Sequence, residues 1–221
     1  MPSVEPFLSA LLTSDIQPSP ARRARAIGSH NHVRNQLCTG HFSTRIRDAY
    51  LSGSYSRDTA IDPLDDVDIV FIIDPEKWPS SLLDRLFQSK PEPDTVLNSF
   101  ATALRRRYER SSVRTQRRSV RLELVHLNLD IVPAIQDGPT DLIWIPDREE
   151  GDWIKSGPKR HMADGEEVNR RNGGRFKPLV KLLKYWNSNR LVLGPPSISG
   201  VIEGSNSDLT SAMRFFGLPS Q

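Results

Sequence analysis

Three aspartates and one Gly-Ser pair are the residues of this chain best placed to do chemistry. In "LSGSYSRDTAIDPLDDVDIVFII" (residues 51–73), Asp66 and Asp68 flank Val67 at the mouth of a run as apolar as any in the chain. In an extended strand, residues two apart share a face, so these carboxylates lie a few ångström from each other. Such a pair repels, and one member is driven toward protonation unless a cation is present. A divalent cation removes the repulsion and favours both ionised forms. An all-oxygen ligand set suits Mg²⁺ or Mn²⁺ rather than zinc. Holding two metals takes a third carboxylate, and Asp130 in "LNLDIVPA" is the candidate, an acid between Leu129 and Ile131 in an apolar segment. A neighbouring strand would place it beside the pair. Without metal, removing any one of the three should raise the melting temperature by relieving repulsion.

Gly53-Ser54 supplies the other half of a site. Glycine lets the backbone approach an anion closely, and amides and a hydroxyl at a helix start accept phosphate oxygens. Phosphate on one side and two metals on the other is the layout for in-line nucleotidyl transfer. One metal lowers the pKa of an attacking hydroxyl and the other stabilises the leaving pyrophosphate. Each piece alone has an ordinary reading. "DPLDD" is turn chemistry, Gly-Ser is common, and Asp130 can be a lone acid at a strand end. The joint pattern weighs more: a strand, Gly-Ser, eleven residues (55–65), acid–apolar–acid into a buried strand, then a later apolar-flanked acid.

The elements that must position these residues follow from periodicity. "VEPFLSALL" (4–12) and "SPARRARAIGSHNHVRNQLCTG" (19–40) read as helices, the second entered through Ser-Pro and ended at Gly40. "RIRDAYL" (45–51) alternates like a strand, "SYSRDTA" reads as a turn or two of helix, and "VDIVFII" (67–73) as a central strand covered on both faces. Residues 94–110 form an amphipathic helix with Asp94 as its N-cap. "SVRTQRRSVRLELV" gives two short strands, "HLNLDIVPAI" (126–135) a third ended by Pro133, and "DLIWIPD" (141–147) another. "FKPLVKLLKYWN" (176–187) is helical, with Leu179, Leu182, Leu183 and Trp186 on one face. The sum is an α+β fold, a core sheet flanked by helices and followed by a short helical second lobe. The expected division is 1–150 for the core with its N-terminal helices and 151–221 for the lobe.

Composition narrows the class. The chain has 221 residues, enough for one large domain or two small lobes, with 37% hydrophobic and 26% charged residues. No apolar run approaches a membrane span, and no basic residue precedes the apolar part of the N-terminus, so neither a transmembrane helix nor a signal peptide is expected. A single cysteine, Cys38, excludes an intrachain disulfide and argues against thiolate-held zinc. A reducing cytoplasm is the expected compartment. The net charge of +3 and pI of about 9.2 are compatible with anionic ligands and select none.

The first motif, the Asp130 strand and the "FKPLVKLLKYW" helix together resemble the DNA polymerase β-like nucleotidyltransferase superfamily. Within it they are similar to the branch that holds the cyclic-GMP-AMP-synthase-like (DncV-like) and oligoadenylate-synthetase-like enzymes. Its bacterial members are the CD-NTases of antiphage (CBASS-type) signalling. The resemblance covers roughly residues 5–203. It implies that Gly53 and Ser54 hold a triphosphate, that Asp66 and Asp68 bind both metals, and that Asp130 binds the catalytic metal and helps activate the acceptor hydroxyl. It implies that Lys184, with Lys181 one turn earlier, reaches the donor's phosphates. On the helix alone, the two lysines are equally well read as a solvated face turned away from the leucines. Ser199 falls where the family has a polar residue near the triphosphate, and Gly200 stands where an aromatic often follows. The family continues into a long helical lobe, whereas this sequence finishes in "SNSDLTSAMRFFGLPSQ". The lobe is therefore expected to be shortened, with self-association or a protein partner covering the face of 176–203.

The resemblance implies a Mg²⁺-dependent (or Mn²⁺-dependent) enzyme joining nucleoside triphosphates, ATP, GTP or others, into a cyclic or linear oligonucleotide second messenger. Two rival readings remain: nucleotidyl transfer to tRNA or to a protein hydroxyl, and a truncated, non-catalytic nucleotide-binding paralogue. Eight arginines crowd residues 105–121. They fit either a nucleic-acid groove or the solvated faces of a helix end and a hairpin, and the alternation favours the second. His126 and His161 are isolated and are not read as metal ligands. Trp78, Trp144, Trp153 and Trp186 read as core or rim.

Overall fold

The computed structural model describes residues 5–40, 42–78 and 90–190. These divide into two units, Pro18–Glu167 and a smaller one that joins the N-terminal residues to those from Val168 onward.

The larger unit is built on a mixed sheet of seven strands among the described residues. They are β1 (Ile46–Ser52), β2 (Asp66–Ile73), β3 (Ser112–Thr115), β4 (Val120–Leu124), β5 (Leu127–Gln136), β6 (Ile143–Asp147) and β7 (Asp152–Ser156). The order is β1-β2-β5-β4-β3, with β6 paired to the far end of β5 and β7 to β6. Only β2 and β5 run parallel within that sheet; the other pairs are antiparallel. A parallel pair needs a crossover, and the connection from β2 to β5 carries a helix, Pro93–Arg107.

Helix α1 spans Glu5–Leu11, α2 Pro20–Thr39, α3 is the single turn Gly53–Ser56, and α4 is the crossover helix Pro93–Arg107. Ser19 caps α2 by accepting from the Arg22 amide at 3.3 Å, as the Ser-Pro entry predicts. Helix α4 differs from expectation at its start: its N-cap is Glu92, and Asp94 lies in the first turn, where Pro93 at N1 already fixes the entry. Ala26, Val33 and Leu37 of α2 and Val96, Leu97, Phe100 and Leu104 of α4 bury one face of the sheet, against Val67, Ile69, Phe71, Leu129 and Ile131. Phe100 stacks with Phe42 at 4.8 Å and Trp78 at 5.7 Å between ring centroids. A fully buried aromatic of this kind contributes about 2–3 kcal/mol. The opposite face carries a smaller cluster, Val70, Ile72, Ala134 and Ile143. The strand β2 is thus apolar on both faces because both are packed.

One expectation from the pattern is corrected and one gap is filled. Pro133 does not end β5, which runs on to Gln136. Pairing with β4 stops at Ile131 and pairing with β6 begins at Ile135, so residues 132–134 have a ladder partner on the β2 side alone. A missing N–H on the open side forfeits no ladder bond. Strand β7 and a helix α5 (Pro158–Arg171) occupy a stretch that the pattern left unassigned. No buried residue marks α5, so it shows no apolar stripe to read.

In the smaller unit, α1 leads into a π-helical turn, Leu12–Ile16, against which helix α6 (Phe176–Arg190) packs. Gly173 and Gly174, with φ of +59° and +79°, make the tight turn between α5 and α6. Asn169 Oδ1 accepts from the Lys177 amide at 3.1 Å and so caps α6. Among the described residues, no helix is long and apolar enough to cross a membrane.

Candidate active site

The sheet face opposite the main core carries the polar residues. Ser52 on β1 is the register partner of Asp68 on β2, and Asp68 is the register partner of Asp130 on β5. One step toward the strand starts, Asp66 pairs with Asn128, whose Nδ2 donates to Asp66 Oδ1 at 3.3 Å. Because adjacent strands in register present the same face, Asp66, Asp68 and Asp130 share one surface. Asp130 is buried at 8% exposure, Asp68 is half-buried and Asp66 is exposed.

Strand β1 runs into Gly53, which has φ of +68° and starts the single turn α3. A Cβ placed on Gly53 would overlap the Asp68 carboxylate, with its Cγ only 2.7 Å away. The sequence suggests a glycine here for close approach of a phosphate. The structure adds a reason inside the protein: the turn must pass directly against Asp68. Thr59 donates its amide to the Ser54 carbonyl at 2.9 Å, which ties the turn down.

Sequence reasoning missed Arg121. It faces Asp130 across the β4–β5 pair. Its Nε donates to Asp130 Oδ1 at 3.1 Å and its Nη2 to Oδ2 at 2.7 Å, while Nη2 also lies 3.2 Å from Asp66 Oδ1. The hydrogen bond to Asp130, and next the charges of Asp130 and Asp66, raise the Arg121 pKa above the ordinary guanidinium value. The signal was present. The hairpin at Val125-His126 pairs Leu124 with Leu127, and counting back three positions sets Arg121 opposite Asp130. The expectation that removing any of the three acids relieves repulsion took no account of this cation, which sits on Asp130 and reaches Asp66.

The other arginines of 105–121 are mostly committed as well. Arg105 donates to the Val113 carbonyl at 3.1 Å, and Arg114 lies 3.3 Å from Glu123. Arg117 grips the buried Asp147 with Nε at 2.7 Å and 2.9 Å from its two oxygens, and Arg118 adds Nη2 at 3.1 Å. Arg117 first, then Arg118, hold the Asp147 carboxyl well below the usual carboxylate range. Seven of the eight arginines are nonetheless exposed, as the solvated-face reading expects, and Arg117 and Arg118 tie the β3–β4 turn to β6 through Asp147.

The donor set fits a hard divalent cation in chemistry: three carboxylates on one face, two of them in register, around a positive charge that the protein itself supplies. Among the described residues, no three carboxylate, imidazole or thiol groups converge as a finished metal cage, and Arg121 holds Asp130 and Asp66. In the smaller unit, Lys181 is buried at 3% exposure and Lys184 is half-buried. Neither is the fully solvated lysine that helix spacing alone allows. Ser199 lies outside the described residues, as does the segment 205–221. His126 pairs with Ser29 Oγ at 2.9 Å.

Residues 1–169, which hold this whole face, match the Second Messenger Oligonucleotide or Dinucleotide Synthetase (SMODS) domain. The chain belongs to that family. Among curated relatives, it is 32% identical to a cyclic AMP-AMP-AMP synthase from an Acinetobacter strain, over 86% of this chain and 54% of that protein. It is 23% identical to the cyclic UMP-AMP synthase of Rhodothermus marinus, over 76% of this chain and 64% of that protein. It thus spans roughly half to two thirds of the curated relatives it matches. Among solved structures, the E. coli MS115-1 CdnC:HORMA-deltaN complex aligns with a TM-score of 0.69 at 20% identity, covering 98% of this chain and 67% of that one. CdnC with ATP aligns with a TM-score of 0.65 at 21% identity, covering 95% and 64%. The fold is therefore that of the CD-NTases, a mixed sheet flanked by helices, as the motif resemblance implies.

Proposed function

We propose that the face of Asp66, Asp68 and Asp130 is the catalytic centre of a divalent-metal-dependent nucleotidyltransferase that joins nucleoside triphosphates into a cyclic or linear oligonucleotide second messenger, of the kind used in CBASS-type signalling. The observation that carries the reading is the in-register pairing of Asp68 with Asp130 on parallel strands, with the Gly53 turn against Asp68. Membership in the SMODS family supports it.

Asp66 and Asp68 would hold both cations, and Asp130 the one nearest the attacking group. A bound Mg²⁺ or Mn²⁺ supplies Lewis acidity, easing ionisation of the hydroxyl and neutralising phosphate charge. The remaining work falls to the chain. The Gly53 and Ser54 backbone offers amides to a triphosphate at the start of α3. Asp130 accepts the proton of a ribose hydroxyl. The hydroxyl oxygen then bonds to the α-phosphorus, the bond from that phosphorus to the α–β bridging oxygen breaks, and pyrophosphate leaves. Lys181, Lys184 and Ser199 are the further nucleotide contacts of this reading. The burial of Lys181 supports a fixed rather than a solvated role.

The test is incubation of the purified chain with labelled nucleoside triphosphates and Mg²⁺, alone and with tRNA or a protein acceptor. Label in a small oligonucleotide, lost in Asp68→Ala, is the expected result. Label on the acceptor alone would replace this reading with macromolecular transfer, and no transfer with any acceptor would leave a nucleotide-binding module.

A further inference from the structure

The guanidinium of Arg121 engages two of the three acids at once. Its fork takes both oxygens of Asp130, at 3.1 Å and 2.7 Å, and the same Nη2 reaches Asp66 at 3.2 Å. Asp130 is buried at 8% exposure, so its charge has little help from solvent and depends on this partner. Arg121 is itself mostly covered, with 28% of its side chain exposed, and it belongs to β4, a strand paired on both sides. It is not a surface residue that strayed into the site. Arginine suits the position because its planar fork matches a carboxylate and it stays charged at any physiological pH.

We propose that Arg121 is a built-in counter-ion. It offsets part of the negative charge of the three-acid face while no divalent cation is present, and it must give up Asp130 when one arrives. The inference rests on the metal-binding reading above and assigns Arg121 a positioning role, acting through Asp130 and Asp66. Two physical consequences follow. The metal-free protein is stabilised by a pair that the loaded site has to break. Metal entry is opposed by a fixed positive charge, so the affinity for a bare cation is lower than three carboxylates alone would give. Even at the dielectric constant of water, a unit charge about 5 Å from a divalent ion changes its affinity about tenfold. A purely structural bolt predicts the first consequence and not the second.

The experiment titrates Mn²⁺ without nucleotide into the full chain and follows free Mn²⁺ by electron paramagnetic resonance, alongside melting temperatures in EDTA and in Mn²⁺. Arg121→Gln should melt lower than wild type in EDTA, bind Mn²⁺ about tenfold or more tightly, and gain more melting temperature from Mn²⁺. Arg121→Lys keeps the charge, loses the fork, and should fall between the two, which also guards against a Gln variant that folds poorly. Asp68→Ala and Asp130→Ala, each placed in both backgrounds, should weaken Mn²⁺ binding. If Arg121→Gln or Arg121→Lys binds Mn²⁺ no more tightly than wild type while the acid variants still lose it, Arg121 is a bolt and the inference fails with the metal site intact. If neither background binds Mn²⁺, or the acid variants do not matter, the metal reading itself fails and takes the inference with it.

Discussion

Replacing Gly53 by alanine separates backbone strain from side-chain collision at the candidate site. The residue has φ of +68°, a conformation that costs an L-residue about 1–2 kcal/mol. The new Cβ would also lie 2.7 Å from Asp68 Cγ and 3.2 Å from Asp68 Cβ, overlapping the carboxylate oxygen. Clearing it forces Asp68 off its preferred rotamer, for about 0.5–1.5 kcal/mol more. Gly53→Ala should therefore lose about 2–3 kcal/mol in urea unfolding of the metal-free protein. In an Asp68→Ala background, the oxygen and Cγ are gone and chiefly the backbone component remains, so the loss should shrink to about 1–2 kcal/mol. The difference between backgrounds is the coupling of the two positions. Turnover should fall much further in Gly53→Ala than in Ser54→Ala, which removes one hydroxyl worth about 1 kcal/mol. Equal losses of stability in the two Asp68 backgrounds would refute the contact, and an unchanged Gly53→Ala would refute the whole argument.

Three further outcomes follow from side chains already described or adjacent to them. Asp130→Ala deprives Arg121 of its two-pronged partner and should lower metal-free stability by about 2 kcal/mol, whereas Asp66→Ala, at an exposed acid, should stay within about 0.5 kcal/mol; paired urea titrations in EDTA check this. The Asp147 carboxyl is held below its unfolded value, mainly by Arg117, so its stabilisation is complete above about pH 4 and is lost as pH falls below that. Asp147→Asn should then lower the melting temperature at pH 7 and narrow its gap to wild type between pH 5 and pH 3; a constant gap counts against the pair. The Tyr50 hydroxyl is buried without a hydrogen-bond partner, and burial, then Asp48 and Asp141, push its pKa up to about 12. Tyr50→Phe should leave stability unchanged or raise it by up to about 1 kcal/mol, and a clear loss would reveal a partner for that hydroxyl.

The acid–apolar–acid entry to β2 was legible because a continuous apolar, β-branched run marks a strand buried on both faces, and a charge at its mouth stands out. Helix α2 was legible from Ser-Pro at one end and Gly40 at the other. The pairing of Asp68 with Asp130 was legible only as an expectation of neighbouring strands. Its parallel register depends on the crossover through α4, which no local pattern encodes. Arg121 was lost for a different reason. Eight arginines in one stretch read as a single charged feature, although the structure singles out three of them, Arg117 and Arg118 as a clamp on Asp147 and Arg121 as a partner for Asp130. Lys181 was left open by the pattern: helix spacing puts it opposite the leucines and allows a solvated side chain, yet it is buried. Periodicity locates a side chain around its own helix and is silent on what packs against the second face.

Strand β2 has a consequence during synthesis as well as in the finished fold. Residues 69–73, "IVFII", are five consecutive apolar residues of high strand propensity, and every one is buried once α2, α4 and the sheet have closed around them. Until then they are the kind of segment that seeds intermolecular pairing. Asp65, Asp66 and Asp68 stand on one side of the run and Asp74 on the other, which brackets it with charge in the unfolded chain. The carboxylates of the candidate site thus double as gatekeepers against aggregation. Replacing Asp66 and Asp68 together by alanine would extend the uncharged run from residue 66 to residue 73 and should reduce the soluble yield on refolding, whatever nucleotide is present. Acids at these positions would therefore serve the chain twice, once before it has folded and once in the candidate site.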